Sequence, residues 1–280
     1  MFFKGCPLNC HWCHNPETQS YDREFYYHKD RCNGCRSCVE NCSVKAIQIR
    51  KDEIYTDMNL CTGCKICMEC CIQGARELVG RTLTAEELIK ELKKDTAFYE
   101  ESGGGITLSG GEVMTIEQSY LIDIMKPLHK QGYRIGIDTC GFASFDRFEE
   151  ILPYTEFFLY DVKGMDSVKH EQYTGVKNEL ILDNLKKLSM AGAKIYLRIP
   201  VINDVNASLE DMKAILHFIK EEKIQIIQIH LLPYHGMGNN KYIRLNRNGI
   251  GESFTLPTEQ MLEEYRHLFF ENGYRTVIGG

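Results

Sequence analysis

Thirteen cysteines occur in the 280 residues, and all but Cys140 stand at or before position 71. Thiolate sulfur is a soft metal ligand, so the spacing of these thiols decides what they could hold. Cys32-x2-Cys35-x2-Cys38-x3-Cys42 is followed by Cys61-x2-Cys64-x2-Cys67-x3-Cys71, one pattern written twice. In such a pattern the first three thiolates wrap one 4Fe–4S cubane and the fourth ligates the neighbouring cluster. The expected sets are Cys32, Cys35, Cys38 and Cys71 for one cluster, and Cys61, Cys64, Cys67 and Cys42 for the other. A pair of tetrahedral zinc sites is the alternative use of the same thiols. Two tandem runs of identical spacing favour iron–sulfur chemistry. The proline usual after the fourth cysteine is missing from both runs, with Ser43 and Ile72 in its place. Cys70 is surplus and reads as a packed thiol.

A third group differs. Cys6-x3-Cys10-x2-Cys13 puts three thiolates on one short loop, directly after a strand-like Met1-Phe-Phe-Lys4. Three protein ligands on a cubane leave one iron open, and an open metal position is where substrate binds. A disulfide framework is not expected, because it belongs mostly to small chains in oxidising compartments. The first ten residues, MFFKGCPLNC, hold no apolar signal core, so the expected compartment is the cytoplasm.

These loops need a scaffold, and residues 79–280 supply its pattern. Capping boxes Thr84-Ala-Glu-Glu87 and Thr115-Ile-Glu-Gln118 precede apolar-periodic helices that run to about 101 and 131, with Gly103 and Gly132 as stop signals. Further helices are expected near 145–152, 179–191, 208–222 and 257–272, with stops at Gly192 and Asn272-Gly273. Strand-like runs at 105–109, 133–138, 157–161, 194–200, 226–232 and 276–278 lie among them. Strands alternating with helices predict right-handed βαβ units and a parallel sheet. The fold class is α/β, a partial (β/α)6 TIM-like barrel carrying an inserted α+β segment of the bacterial ferredoxin kind. Its expected divisions are 1–24 for the barrel start, 25–78 for the insertion and 79–280 for the rest of the barrel.

Polar residues gather at the C-terminal ends of the strand runs, where parallel α/β folds bind ligands: Ser109-Gly-Gly-Glu112, Asp138-Thr139, Asp161-Val-Lys163, Arg198, and His230 followed by His235. The formal charge of −6, from 33 basic and 39 acidic residues without a long basic run, argues against a nucleic-acid binder. No apolar stretch approaches the length of a membrane span.

Three stretches carry a resemblance. Phe2-Phe-Lys-Gly-Cys-Pro-Leu-Asn-Cys-His-Trp-Cys-His-Asn-Pro16, Gly103-Gly-Gly-Ile-Thr-Leu-Ser-Gly-Gly-Glu112 and Leu231-Leu-Pro-Tyr-His-Gly-Met-Gly238 are similar to the radical S-adenosylmethionine (SAM) enzymes that activate glycyl radical enzymes. The two-cluster insertion is similar to that of every branch except the short pyruvate formate-lyase type. The resemblance implies three 4Fe–4S clusters, one binding SAM through its open iron and two auxiliary. It implies reductive cleavage of SAM to a 5′-deoxyadenosyl radical that takes hydrogen from a backbone glycine of a partner. It also implies a flavodoxin- or ferredoxin-type electron donor and a monomeric chain.

Carried over residue by residue, Gly110, Gly111 and Glu112 match the SAM-methionine motif, with Glu112 receiving the ammonium. Val113 stands where a proline is frequent. Asp138, Thr139, Asp161 and Lys163 match positions lining the SAM pocket or a nearby cation site, and His235 a SAM contact. Arg198 pairs either with the SAM carboxylate or with a core aspartate. Trp12 shields the cluster, Cys140 is an unligated small hydrophobe, and His11, His14, His28 and His129 carry no role. The family's usual lead-in, with an Asp-Gly-Pro-Gly-x-Arg stretch, has no counterpart before Phe2, so an exposed barrel edge and weaker partner docking are expected. A ferredoxin-type electron carrier would leave the Cys6 loop and the strand-end residues unexplained. A radical SAM enzyme acting on a small molecule or another protein residue is the remaining alternative.

Overall fold

The computed structural model describes residues 1–50, 53–247 and 254–280. Its strands are β1 (Phe2–Phe3), β2 (Glu24–Tyr27), β3 (Ile47–Arg50), β4 (Glu53–Thr56), β5 (Arg76–Val79), β6 (Ile106–Gly110), β7 (Ile135–Thr139), β8 (Phe157–Asp161), β9 (Ile195–Val201), β10 (Gln228–Pro233) and β11 (Thr276–Ile278). Seven of them make one parallel sheet in the order β1-β6-β7-β8-β9-β10-β11. Six strand-to-helix steps lead to a closing seventh strand, and no pairing joins β1 to β11 among the described residues. The barrel is therefore partial, as expected, with its gap between the two end strands.

Side chains alternate across the sheet because successive residues of a strand face opposite ways. On β9, Ile195, Leu197, Ile199 and Val201 are buried, while Tyr196, Arg198 and Pro200 are only half-buried. The first set belongs to the main apolar core, together with Leu121, Ile124, Met125 and Leu128 of helix Gln118–Lys130. The second set includes Arg198 and Pro200, which face a cavity at the barrel mouth.

Helix positions need three corrections. The helix expected from 84 to 101 is broken by a tight turn at Lys93–Asp95 into Ala85–Leu92 and Thr96–Ser102; Thr84 caps the first with a complete capping box. Thr115 caps nothing: helix Gln118–Lys130 starts later, on the side chain of Glu117, which accepts from Tyr120 N. Thr115 Oγ1 instead donates to the carbonyl of Glu112. Helices Ser167–Thr174 and Asn239–Arg244 were not foreseen. Both are short, and Ser-Val-Lys-His-Glu-Gln-Tyr-Thr shows no apolar stripe to announce the first.

Between β1 and the barrel's next strand, β2 pairs antiparallel with β5 and β3 with β4. Short helices Ser37–Glu40 and Ile66–Glu69 are each preceded by a left-handed residue with φ 65°, Arg36 and Lys65. These occupy equivalent places after Cys35 and Cys64, so the doubled cysteine pattern is also a doubled backbone. A separate apolar core of Phe25, Tyr27, Ile47, Ile54, Cys67 and Ala75 fills this segment.

Candidate active site and cluster cavities

The exit of β6 and the start of the Cys6 loop are joined strand to strand. Gly111 N donates to Phe3 O and Glu112 N to Gly5 O, both at 2.8 Å. Gly110 has φ +117°, and a Cβ there would stand 2.3 Å from Phe3 N and O. A Cβ on Gly111 would stand 2.0 Å from Gly5 O. The two glycines are thus required by backbone contact, and they bring the three-cysteine loop to the strand ends.

A cavity of about 500 Å³ opens there, within the range of small-molecule sites. Every residue expected in it from Cys6, Cys10 and Cys13 to Gly110, Gly111, Asp138, Thr139, Asp161, Lys163, Arg198 and His235 lines it. Glu112 does not. Its side chain is 0% exposed and lies behind the wall: Oε1 accepts from Met114 N at 2.9 Å and Thr139 Oγ1 at 2.7 Å, and Oε2 accepts from Cys140 N at 2.6 Å. Burial pushes this carboxyl up from its ordinary value. The expected ammonium contact is not what these bonds support; the carboxylate holds the turn after β7 against the turn after β6.

Arg198 resolves toward the aspartates. Its Nε donates to Asp161 Oδ1 at 2.7 Å, while Nη2 lies 2.7 Å from Asp138 Oδ1. Lys163 Nζ donates to Asp161 Oδ2 at 2.7 Å, and Ser109 Oγ to Asp138 Oδ2 at 2.7 Å. Burial would raise Asp161, but Arg198 and Lys163 outweigh it and hold its carboxyl at about 2. Burial and the Asp161 charge push Asp138 up against Arg198. Two cations and two carboxylates thus form a nearly balanced network along one wall, able to orient a zwitterionic ligand through its remaining donors and acceptors.

Burial also pushes the Cys10 thiol up to about 12 and Cys13 to about 11. Both are protonated thiols until a metal displaces the proton. Cys6 is lowered, first by a hydrogen bond with the Cys140 thiol. Cys140 is buried and free, as expected, and it also lines the cavity beside a candidate ligand.

Two residues that sequence reasoning passed over hold the loop from the far side. His14 stacks on His235 at 3.9 Å between ring centres, and its Nε2 is 2.9 Å from His235 O. Lys241 Nζ donates to Asn15 Oδ1 at 2.8 Å and Glu17 Oε1 at 2.6 Å. Only the position of His14 beside Cys13 could have flagged it, and nothing in sequence ties Lys241 to residue 17. Trp12 packs with Tyr173 and Phe254, consistent with a shielding role.

The insertion holds two cavities far smaller than that of the barrel mouth. Cys42, Cys61, Cys64 and Cys67 line the first; Cys32, Cys35, Cys38 and Cys71 line the second. The crossed grouping is the one expected from the spacing, and Cys70 lines neither. Four thiols around each space fit the ligand demand of a cubane. Among the described residues no three Cys, His, Asp or Glu side chains close on the point a single ion would need.

Residues 58–219 match the Radical SAM superfamily and residues 25–48 the 4Fe-4S binding domain. The trans-4-hydroxy-L-proline dehydratase activating enzyme of Clostridioides difficile is 45% identical over 282 residues, covering 100% of this chain and 93% of the relative. The chain belongs to the radical SAM activating enzymes of glycyl radical enzymes. The isethionate sulfite-lyase activating enzyme of Oleidesulfovibrio alaskensis is 37% identical, over 88% of this chain and 81% of its own length. Among solved structures, a domain of pyruvate-formate lyase-activating enzyme from Bacteroides vulgatus aligns at TM-score 0.55 and 31% identity, covering 64% of this chain and 100% of that domain.

Proposed function

We propose that this activating enzyme binds SAM at the barrel mouth and makes a glycyl radical on a partner enzyme. Cys6, Cys10 and Cys13 hold the cluster that binds SAM, and the two insertion cavities hold two further 4Fe–4S clusters. When bound and reduced, the cluster and SAM together supply the hydrogen-abstracting radical. The chain's own residues do the rest. Gly110 and Gly111 keep the β6 exit against the cysteine loop, the Asp138–Arg198–Asp161–Lys163 wall orients the SAM amino-acid end, and Trp12 with its aromatic neighbours excludes water. The open gap between β1 and β11 leaves a lateral way in for a peptide loop.

One observation carries this reading: the three-cysteine loop and the charged strand ends share one cavity, in a chain similar along its whole length to an activating enzyme. The partner to try first is a hydroxyproline dehydratase-type glycyl radical enzyme, because the 45% identical relative is named for that partner. A flavodoxin- or ferredoxin-type protein supplies the electron, and the enzyme acts as a cytoplasmic monomer. Among the described residues no helix is long and apolar enough to cross a membrane.

The test is anaerobic reconstitution with SAM, a reductant and the candidate partner, followed by electron paramagnetic resonance. A glycine-centred doublet that vanishes when the partner's glycine is changed to alanine is the expected result. SAM cleavage without that signal for any glycyl radical enzyme tried would favour a small-molecule substrate.

A further inference from the structure

The insertion buries a cation that no carboxylate among the described residues accompanies. Arg76, on β5, is 4% exposed, and among the described residues no Asp or Glu forms an ion pair with it. Its Nη2 donates to Thr56 Oγ1 at 2.7 Å, and its guanidinium carbon lies 5.6 Å from the centre of the Phe25 ring. Nε and Nη1 are buried with no oxygen or nitrogen acceptor, and the Cys67 thiol is within reach of the guanidinium. Arg76 also lines both four-cysteine cavities. It therefore stands between them.

A buried charge without a partner is strongly destabilising, so a guanidinium kept here needs a counter-charge. The groups that face it are cysteines. Cys67 lines one cavity with it and Cys38 the other. A cubane held by four thiolates is a net anion, and two such anions side by side resist each added electron. Hydrogen bonds and net charge around the sulfurs are among the quantities that set cluster potential.

We propose that Arg76 is the shared counter-charge of the two insertion clusters and keeps both of their midpoint potentials higher than they would otherwise be. The inference rests on the reading that these cavities hold 4Fe–4S clusters. Its consequence is that the auxiliary pair accepts electrons from a weaker donor than two uncompensated clusters could.

The experiment compares the full-length reconstituted enzyme with Arg76→Met, Arg76→Gln and Arg76→Lys. Iron is counted first, and the clusters are then titrated against potential under electron paramagnetic resonance. Iron should stay near about twelve per chain, four per cubane. The methionine variant should lower the reduction equilibrium of the insertion clusters about tenfold, about 59 mV for a one-electron couple. Lysine, which keeps the charge, should recover most of that shift, and the SAM-responsive cluster should move little. If the methionine chain does not fold, glutamine must lower the potentials in the same direction. Unchanged potentials in a fully loaded neutral variant would overturn the role of Arg76. A wild-type iron content of about four would instead overturn the cluster reading beneath it.

Discussion

The barrel mouth and the insertion place their thiols by different means. At the mouth, three cysteines sit on one loop, and the loop is located from outside by β6 backbone, by His235 and by Lys241. Their cavity is large and carries a charged wall as well as sulfur. In the insertion, each small cavity draws three cysteines from one run and the fourth from the other, with a single buried guanidinium between. The first cavity has room for a small molecule beside its thiols; the second pair has little space beyond theirs. On the proposed reading, one region binds substrate and the other holds charge.

The largest effect that separates them is loss of a thiol. Cys10→Ala should abolish 5′-deoxyadenosine formation, because on the proposed reading its loop holds the SAM-binding cluster. Cys64→Ala should remove iron from the insertion and slow electron delivery, while SAM binding by calorimetry remains measurable. Wild-type 5′-deoxyadenosine rates in Cys10→Ala would erase the distinction between the two regions.

Backbone contact comes next. A methyl at Gly111 collides with the Gly5 carbonyl, which cannot move aside as a flexible side chain would. Gly111→Ala should cost about 3 kcal/mol, the upper part of the overpacking range, and weaken SAM binding with it. Thermal unfolding of the reconstituted enzyme would show it as a fall of several degrees. A comparable change at Gly74, whose Cβ would meet nothing within 4 Å but whose φ is +58°, should strain only its own turn and leave the cavity of the barrel mouth untouched.

The charged wall should respond more moderately. Arg198→Met leaves Asp138 and Asp161 facing each other without the cation they share. Removing one partner of a largely buried charge network costs about 3 kcal/mol. The Michaelis constant for SAM should rise more than the turnover number falls, if the wall orients rather than reacts. Smallest is Lys241→Met, where a half-buried pair with Glu17 contributes about 0.5 kcal/mol or less. A few-fold rise in the SAM requirement, with unchanged iron, is the expected reading.

Much of the fold was legible because parallel βαβ units write themselves as short apolar runs bounded by glycine. The strand expected at 157–161 is observed at Phe157–Asp161, and that at 276–278 at Thr276–Ile278. Helix Ser167–Thr174 was not legible, since it holds its place through contacts such as Asn9 N to Thr174 O and not through an apolar face. Cysteine grouping was legible because ligand spacing is local. The direction of the Glu112 side chain was not: a motif says which residue is present, and only packing says which way it turns. Arg198 was ambiguous for the same reason, its partners lying 37 and 60 positions away.

The difference between an open and a closed thiol site can be read in one spectrum. Electron paramagnetic resonance of the reduced, fully loaded enzyme should be recorded with and without SAM, in wild type and in Cys10→Ala. One cluster signal should change shape when SAM is added to wild type, the insertion signals should not, and the change should be absent from Cys10→Ala. A SAM-dependent change that survives in Cys10→Ala, or that appears in the insertion signals, would contradict the assignment of the barrel mouth as the SAM site.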